Sequence, residues 1–324
     1  MSRPFFYCSE LSLVSAERSF GTASIGEVWL LVEYREAWGA HALEDSALPA
    51  EVKSRLNNFC QTTQRSRILF IKQERLRQDP LTCFVVRCRE SAPSIMKFHF
   101  DGYEELLKLD VAALAAGDAA VAQAVGAVKA EDSLFLVCTH GKRDKCCAKF
   151  GYALYKSLRE AAGGDERAAG ANSSVWQSSH VGGDRFAANL LCFPHGLFYA
   201  HVTEDRGRTI CDEYEARRLI LEGYRGRACY SYPVQAAEFF IRRETGLAAL
   251  DALRFRRQER TGDKSWLVKF IETGTGGARI HEAHVAARPS EFHNYITCQS
   301  ANEQRVVQYA LESYRAAEQP ARVE

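Results

Sequence analysis

The chain has 324 residues with 46% hydrophobic content, enough for a sizeable core and for more than one domain. Its 42 basic against 41 acidic residues leave a formal charge of +1, without the basic excess that a nucleic-acid or polyanion footprint needs. The apolar runs are strand-length, too short to cross a bilayer, and the first residues hold no unbroken apolar leader, so a cytoplasmic chain with no membrane partner is expected.

In chain order, Val28–Val32 is a near-continuous apolar run of the kind a buried strand shows. A helical stretch follows over Pro49–Cys60, then a second strand at Ile68–Ile71. A hairpin is expected from Thr82–Cys88 against Ile95–Phe100, followed by a helix over Tyr103–Lys108.

The same order then returns. Leu134–Val137 reads as a strand, Lys145–Ala162 as a helix and Ser173–Trp176 as a second strand. Asn189–Phe193 and Leu197–Val202 form a hairpin around Pro194-His-Gly196, and a closing helix covers Thr209–Glu222. Two β-α-β-β-β-α copies with right-handed parallel crossovers and added antiparallel strands give an α/β chain (α+β overall). This mixed-sheet plan is that of tandem thioredoxin-like domains, placed at 1–115 and 125–228.

From residue 229 to 324 the pattern changes to a small α+β subdomain packing on the second copy. A helix over Gln235–Glu244 leads into strands at Ala252–Arg257, Trp266–Thr273, Ala278–Ala286 and Tyr295–Gln299. Gly274-Thr-Gly-Gly marks a turn, and either a helix over Glu303–Glu318 or a strand at Arg305–Tyr309 ends the chain.

Eleven cysteines are many for such a chain, and an odd number cannot pair completely. In a reducing compartment, metal or redox chemistry outranks a disulfide framework. Cys83, Cys88 and Cys192 sit in β-patterned runs as small hydrophobes. The informative stretches are Cys138-Thr-His-Gly-Lys-Arg-Asp-Lys-Cys146-Cys147 and His180-Val-Gly-Gly-Asp184-Arg185-Phe. Cys138 ends a buried strand. Cys147 opens a helix with Phe150, Leu154 and Leu158 on its apolar face and basic neighbours that favour thiolate. Cys146 competes with Cys147 for that place or stands by. His180 follows the second strand, and the glycines after it let the backbone pass close to a bulky group. The first copy carries Glu33-Tyr34 and Lys72-Gln-Glu74 at the equivalent places, so its half is ligand-free.

Taken together, these two motifs resemble the sucrase/ferredoxin-like family, whose members carry a thioredoxin-like [2Fe–2S] ferredoxin domain. The resemblance covers most of the chain, including Cys8-Ser-Glu-Leu-Ser and Gly21-Thr-Ala-Ser. It implies a [2Fe–2S] cluster held by Cys138, Cys147 and His180. The family's fungal branch has a second histidine where this chain has Asp184, a hard ligand for such iron. Either Asp184 or Cys298 is then the fourth ligand, with Cys192 behind them. Imidazole in place of thiolate raises a cluster's potential.

The implied function is single-electron shuttling between a reductase and an acceptor, with Lys142, Arg143 and Lys145 docking an acidic redox partner. Two alternatives stay open: thiol–disulfide chemistry by Cys138 and Cys147, or a structural zinc on the same residues. No carboxylate pair placed for glycoside chemistry and no nucleotide fingerprint stands out, so an independent enzymatic activity is not implied.

Overall fold

The computed structural model describes residues 5–73, 79–162, 174–273 and 279–318. Glu74, Ser173 and the expected turn at Gly274-Thr-Gly-Gly lie outside them. A short helix α1 (Cys8–Val14) precedes β1 (Val28–Glu33), whose six residues are all buried. Helix α2 (Ala50–Thr62) buries Val52, Leu56 and Phe59 along one stripe and crosses over to β2 (Ser66–Lys72), which lies parallel to β1. The hairpin β3 (Leu81–Arg87) and β4 (Ser94–Phe100) follows, and β3 pairs antiparallel with β1. A 3-10 turn at Tyr103–Leu107 and helices α3 (Val111–Ala116) and α4 (Ala119–Ala124) lead to β5 (Val128–Ala130) on the edge.

The second half repeats the order. β6 (Leu134–Cys138) crosses through a π-helical turn, Cys147–Gly151, and α5 (Tyr152–Ala161) to the parallel strand β7 (Val175–Ser178). β8 (Leu190–Phe193) and β9 (Leu197–Tyr199) form the hairpin, α6 (Glu204–Glu215) follows, and β10 (Tyr224–Arg227) closes the edge. The halves do not form two sheets. β2 pairs antiparallel with β7 through Ile71↔Ser178 and Lys72↔Gln177, giving one ten-stranded mixed sheet in the order β10-β9-β8-β6-β7-β2-β1-β3-β4-β5. The order within one half is therefore that of the other, turned about the β2–β7 seam.

Alternation along the strands sorts the core. Trp29, Leu31, Leu69, Ile71, Leu134, Leu136 and Trp176 share one face across both halves. On the opposite face, Val28, Leu30 and Val32 pack with α2, while Phe135, Val137 and Val175 pack with α5 and α6. Cys138, Cys146 and Cys147 belong to the shared face.

The C-terminal part is helix α7 (Tyr232–Thr245) against an antiparallel sheet of β11 (Leu253–Gly262), β12 (Ser265–Glu272), β13 (Arg279–Asn294) and β14 (Gln304–Glu318). The last segment is thus a strand from end to end and not a helix. Its register with β13 runs from Arg279↔Glu318 to Asn294↔Gln304, and that long pairing decides against the weak helical pattern. Tyr295–Gln299, expected as a strand, makes the turn between β13 and β14. Among the described residues no helix is long and apolar enough to cross a membrane.

One ionic knot joins this part to the large sheet. Buried Glu238 on α7 accepts from Arg227 (2.9 Å) and Arg242 (3.1 Å) through Oε1, and from the Tyr224 hydroxyl (2.8 Å) through Oε2. Burial disfavours its charge, but the two guanidinium groups outweigh that and hold it below the usual carboxylate range. Glu238→Gln leaves two buried cations uncompensated, and a loss of about 3–5 kcal/mol in chemical denaturation is expected.

His195 offers a second test. Burial, then the charges of Arg227 and Arg217, push its pKa down to about 3. The unfolded chain, with an ordinary imidazole near pH 6.5, then binds the extra proton, so stability falls as pH drops from about 6.5 towards 3. His195→Gln should flatten that part of a stability–pH profile, and an unchanged slope would remove His195 as the cause.

Candidate metal centre

Cys138 is the last residue of β6, and its side chain is buried against the π-helical turn that carries Cys147. The approach is close because residue 151 has no side chain. A Cβ at Gly151 would collide with the Cys138 carbonyl oxygen, so only glycine lets the helix start against the strand tip. The segment after β7 supplies the other two groups. His180 leads into Gly182 (φ 91°) and Gly183 (φ 83°), left-handed positions that suit glycine and turn the chain back so that Asp184 faces His180. The fully buried Arg225 braces this turn, donating to Gly182 O (3.0 Å), Asn189 Oδ1 (2.6 Å) and Thr22 O (2.6 Å).

The four side chains form a closed ring. Cys147 Sγ lies 3.6 Å from Asp184 Oδ1, Asp184 Oδ1 lies 3.0 Å from His180 Nδ1, and Cys138 contacts both Cys147 and His180. Donation from the Cys147 thiol, with His180 assisting, holds Cys138 well below the usual thiol range despite its burial. The same contact, with burial and the nearby negative charges, raises Cys147. Burial opposes a charge on His180, but Asp184 and Cys138 outweigh it and lift its pKa to about 9. His180 Nδ1 is buried and 3.0 Å from Asp184 Oδ1, but without the geometry of a hydrogen bond, so this nitrogen has no hydrogen bond within the protein. Once its proton is displaced, an imidazole beside two sulfurs and a carboxylate completes a donor set suited to a metal centre. His180 is also the solvent edge of the ring. Its side chain is 26% exposed and lines a cavity of about 360 Å³ with His41, His140 and Arg143.

Cys298 is not part of this ring. It sits in the β13–β14 turn, where Cys8, Asp144, Cys146 and Cys298 bring their donor atoms within 4.8 Å of one another. These four form a cluster that could hold a metal ion. The sulfur separations are 3.6 Å for Cys8–Cys146, 3.3 Å for Cys146–Cys298 and 3.5 Å for Cys298–Cys8. Cys146 is therefore no bystander beside Cys147. Consecutive residues at the helix start point to two different constellations. Cys192 is buried on the face of the sheet under α5 and α6, among apolar side chains. Cys8 lies in the Cys-Ser-Glu-Leu-Ser stretch that carries part of the resemblance, but nothing near it is spaced like a ligand pair, so the sequence did not mark it as a donor.

Fold and donor groups together define a mixed α/β protein rich in free thiols, with a cysteine–carboxylate cluster suited to a metal ion. The family model described as sucrase/ferredoxin-like matches residues 19–226, and the chain belongs to that family. No curated protein and no solved structure matches the chain. Cys138, Cys147, His180 and Asp184 all fall within the matched stretch, whereas Cys8 and Cys298 fall outside it.

Gly151→Ala tests how tightly the ring depends on the strand–helix approach. Overpacking at this point should destabilise the fold by about 1–3 kcal/mol and part Cys147 from Cys138. A denaturation midpoint equal to that of the unaltered chain would show that the backbone yields freely there.

Proposed function

We propose that the protein is an electron carrier with a [2Fe–2S] cluster held by Cys138, Cys147, His180 and Asp184, in a half built on the thioredoxin-like plan. The observation that carries this reading is the convergence of those four side chains from the ends of two adjacent parallel strands, with His180 Nδ1 left without a hydrogen bond. Of the two candidates for the fourth place, Asp184 is favoured, because it stands 3.0 Å from His180 and 3.6 Å from Cys147. A bound cluster of this kind accepts and releases one electron at a time.

The chain's own residues supply the rest. Cys138 and Cys147, each 1% exposed, keep water from the thiolate side, and His180 forms the edge through which an electron can pass to a partner. Arg225 is a fully buried cation whose hydrogen bonds go to neutral oxygens, and it senses the charges of Asp184 and Cys138. It would balance the negative charge of a cluster. Exposed Lys142 and half-buried Arg143, near the His180 cavity, suit an acidic surface on a reductase or an acceptor. Eleven free cysteines accord with a reducing cytoplasmic setting.

Protein purified without oxygen should contain iron and acid-labile sulfide in equal amounts and show visible absorbance that dithionite bleaches. Cys138→Ser and Cys147→Ser should each lose that absorbance, and Asp184→Ala should shift or abolish it. A colourless, iron-free chain would sink the reading and leave the thiol–disulfide and zinc alternatives.

A further inference from the structure

Outside the ring just described, the densest gathering of soft ligands is the group Cys8, Cys146, Cys298 and Asp144. Its members come from three segments far apart in sequence: the start of α1, the loop before the π-helical turn, and the β13–β14 turn. Three thiols meet there at 3.3–3.6 Å from one another. A disulfide needs about 2.05 Å and takes two sulfurs, not three. Four ligands around a zinc ion, with Zn–S near 2.3 Å, place their sulfurs about 3.8 Å apart. The sulfurs here are within a few tenths of an ångström of that spacing.

The carboxylate points the same way. Asp144 is 1% exposed, and its two oxygens accept the backbone N–H of Cys146 (2.8 Å) and of Cys298 (2.7 Å). It also lies 3.8 Å from Cys8 Sγ. Among the described residues, no side-chain cation comes within ion-pair distance of it. A buried carboxylate with no counter-cation, facing three thiols, is costly unless a cation is held between them.

The surroundings are built as a ligand's outer shell would be. Ser9 N–H donates to Cys146 Sγ (3.5 Å) and Cys8 N–H to Cys298 Sγ (3.4 Å), contacts that favour thiolates. Phe6 stacks on Tyr295 (centroids 4.3 Å apart) and Tyr7 packs edge-on against Phe150 (5.7 Å), covering the cluster with apolar rings.

We propose that Cys8, Cys146, Cys298 and Asp144 form a second metal site, distinct from the ring of Cys138, Cys147, His180 and Asp184, that binds one soft divalent cation, zinc, in a tetrahedral three-sulfur, one-oxygen shell. The ion would tie α1 and the β13–β14 turn to the loop that also presents Cys147, so it acts as a structural clamp beside the proposed redox centre. The site does not depend on what the first ring binds.

The test uses the full chain, purified without oxygen and with zinc supplied during expression. Zinc, iron and sulfide are measured together, and X-ray absorption is recorded at the zinc edge. The expected result is one zinc per chain with three sulfur neighbours at about 2.3 Å and one oxygen at about 2.0 Å. Cys8→Ser and Cys298→Ser should each weaken zinc retention against a competing chelator by at least tenfold, while Cys138→Ser leaves it unchanged. Iron and sulfide should follow the reverse pattern, which separates a failure here from a failure at the first ring. A chain without zinc, a zinc shell of nitrogen and oxygen only, or zinc lost with Cys138→Ser but kept with Cys8→Ser would each overturn the proposal. Because the absorption spectrum is read on the unaltered chain, the test holds even where a cysteine variant does not fold.

Discussion

Ionisable groups placed inside an apolar core must neutralise one another, find hydrogen bonds or hold a counter-charge, and three groupings along the shared core and the adjoining C-terminal part show how. At Glu238 the answer is two arginines and a tyrosine hydroxyl, all within the chain. At the ring of Cys138, Cys147, His180 and Asp184 the groups share protons, yet one imidazole nitrogen is left over. At Asp144 a carboxylate faces three thiols and accepts from two backbone N–H groups and the Cys8 thiol. The first knot closes on itself, and the Cys8, Asp144, Cys146 and Cys298 group could hold a metal ion.

The duplicated topology places two equivalent strand tips in different surroundings. Glu33 ends β1 as Cys138 ends β6. In the first half that tip is satisfied locally: Glu33 accepts from Arg35 (2.8 Å) and from the Thr82 backbone N–H (2.8 Å). The equivalent tip in the second half carries a thiolate whose partners come from the next strand's loop. The first half still contributes, since Gly39 O meets His140 Nε2 at 2.6 Å and the His180 N–H donates to His140 Nδ1 (3.1 Å). Joining the halves at β2–β7 brings that support to the centre.

Much of this was legible in the residues. Near-continuous apolar runs located β1, β2, β6 and β8, and the repeat of elements foretold the repeat of strand order. Cys138, Cys147 and His180 stood out because functional groups collect where buried parallel strands end. The fourth position was less legible. Asp184 and Cys298 were even candidates in the sequence; in the structure the left-handed pair Gly182-Gly183 turns Asp184 onto His180, while Cys298 lies with Cys8 and Cys146. The final segment stood open between a helix over Glu303–Glu318 and a strand at Arg305–Tyr309, and the strand is the one formed, because its partner β13 lies in register across a turn that no local pattern announces.

Sequence alone determined the principal strands of the large sheet, the two crossovers and the residues at the strand tips, because burial periodicity and thiol chemistry are local properties. Only the tertiary structure decided that two halves share one sheet, that neighbouring Cys146 and Cys147 point to different groups of side chains, and that Cys8 meets Cys298. Those outcomes depend on segments far apart in the chain being packed to contact distance, and the spacing of residues along a sequence does not encode distances of that kind.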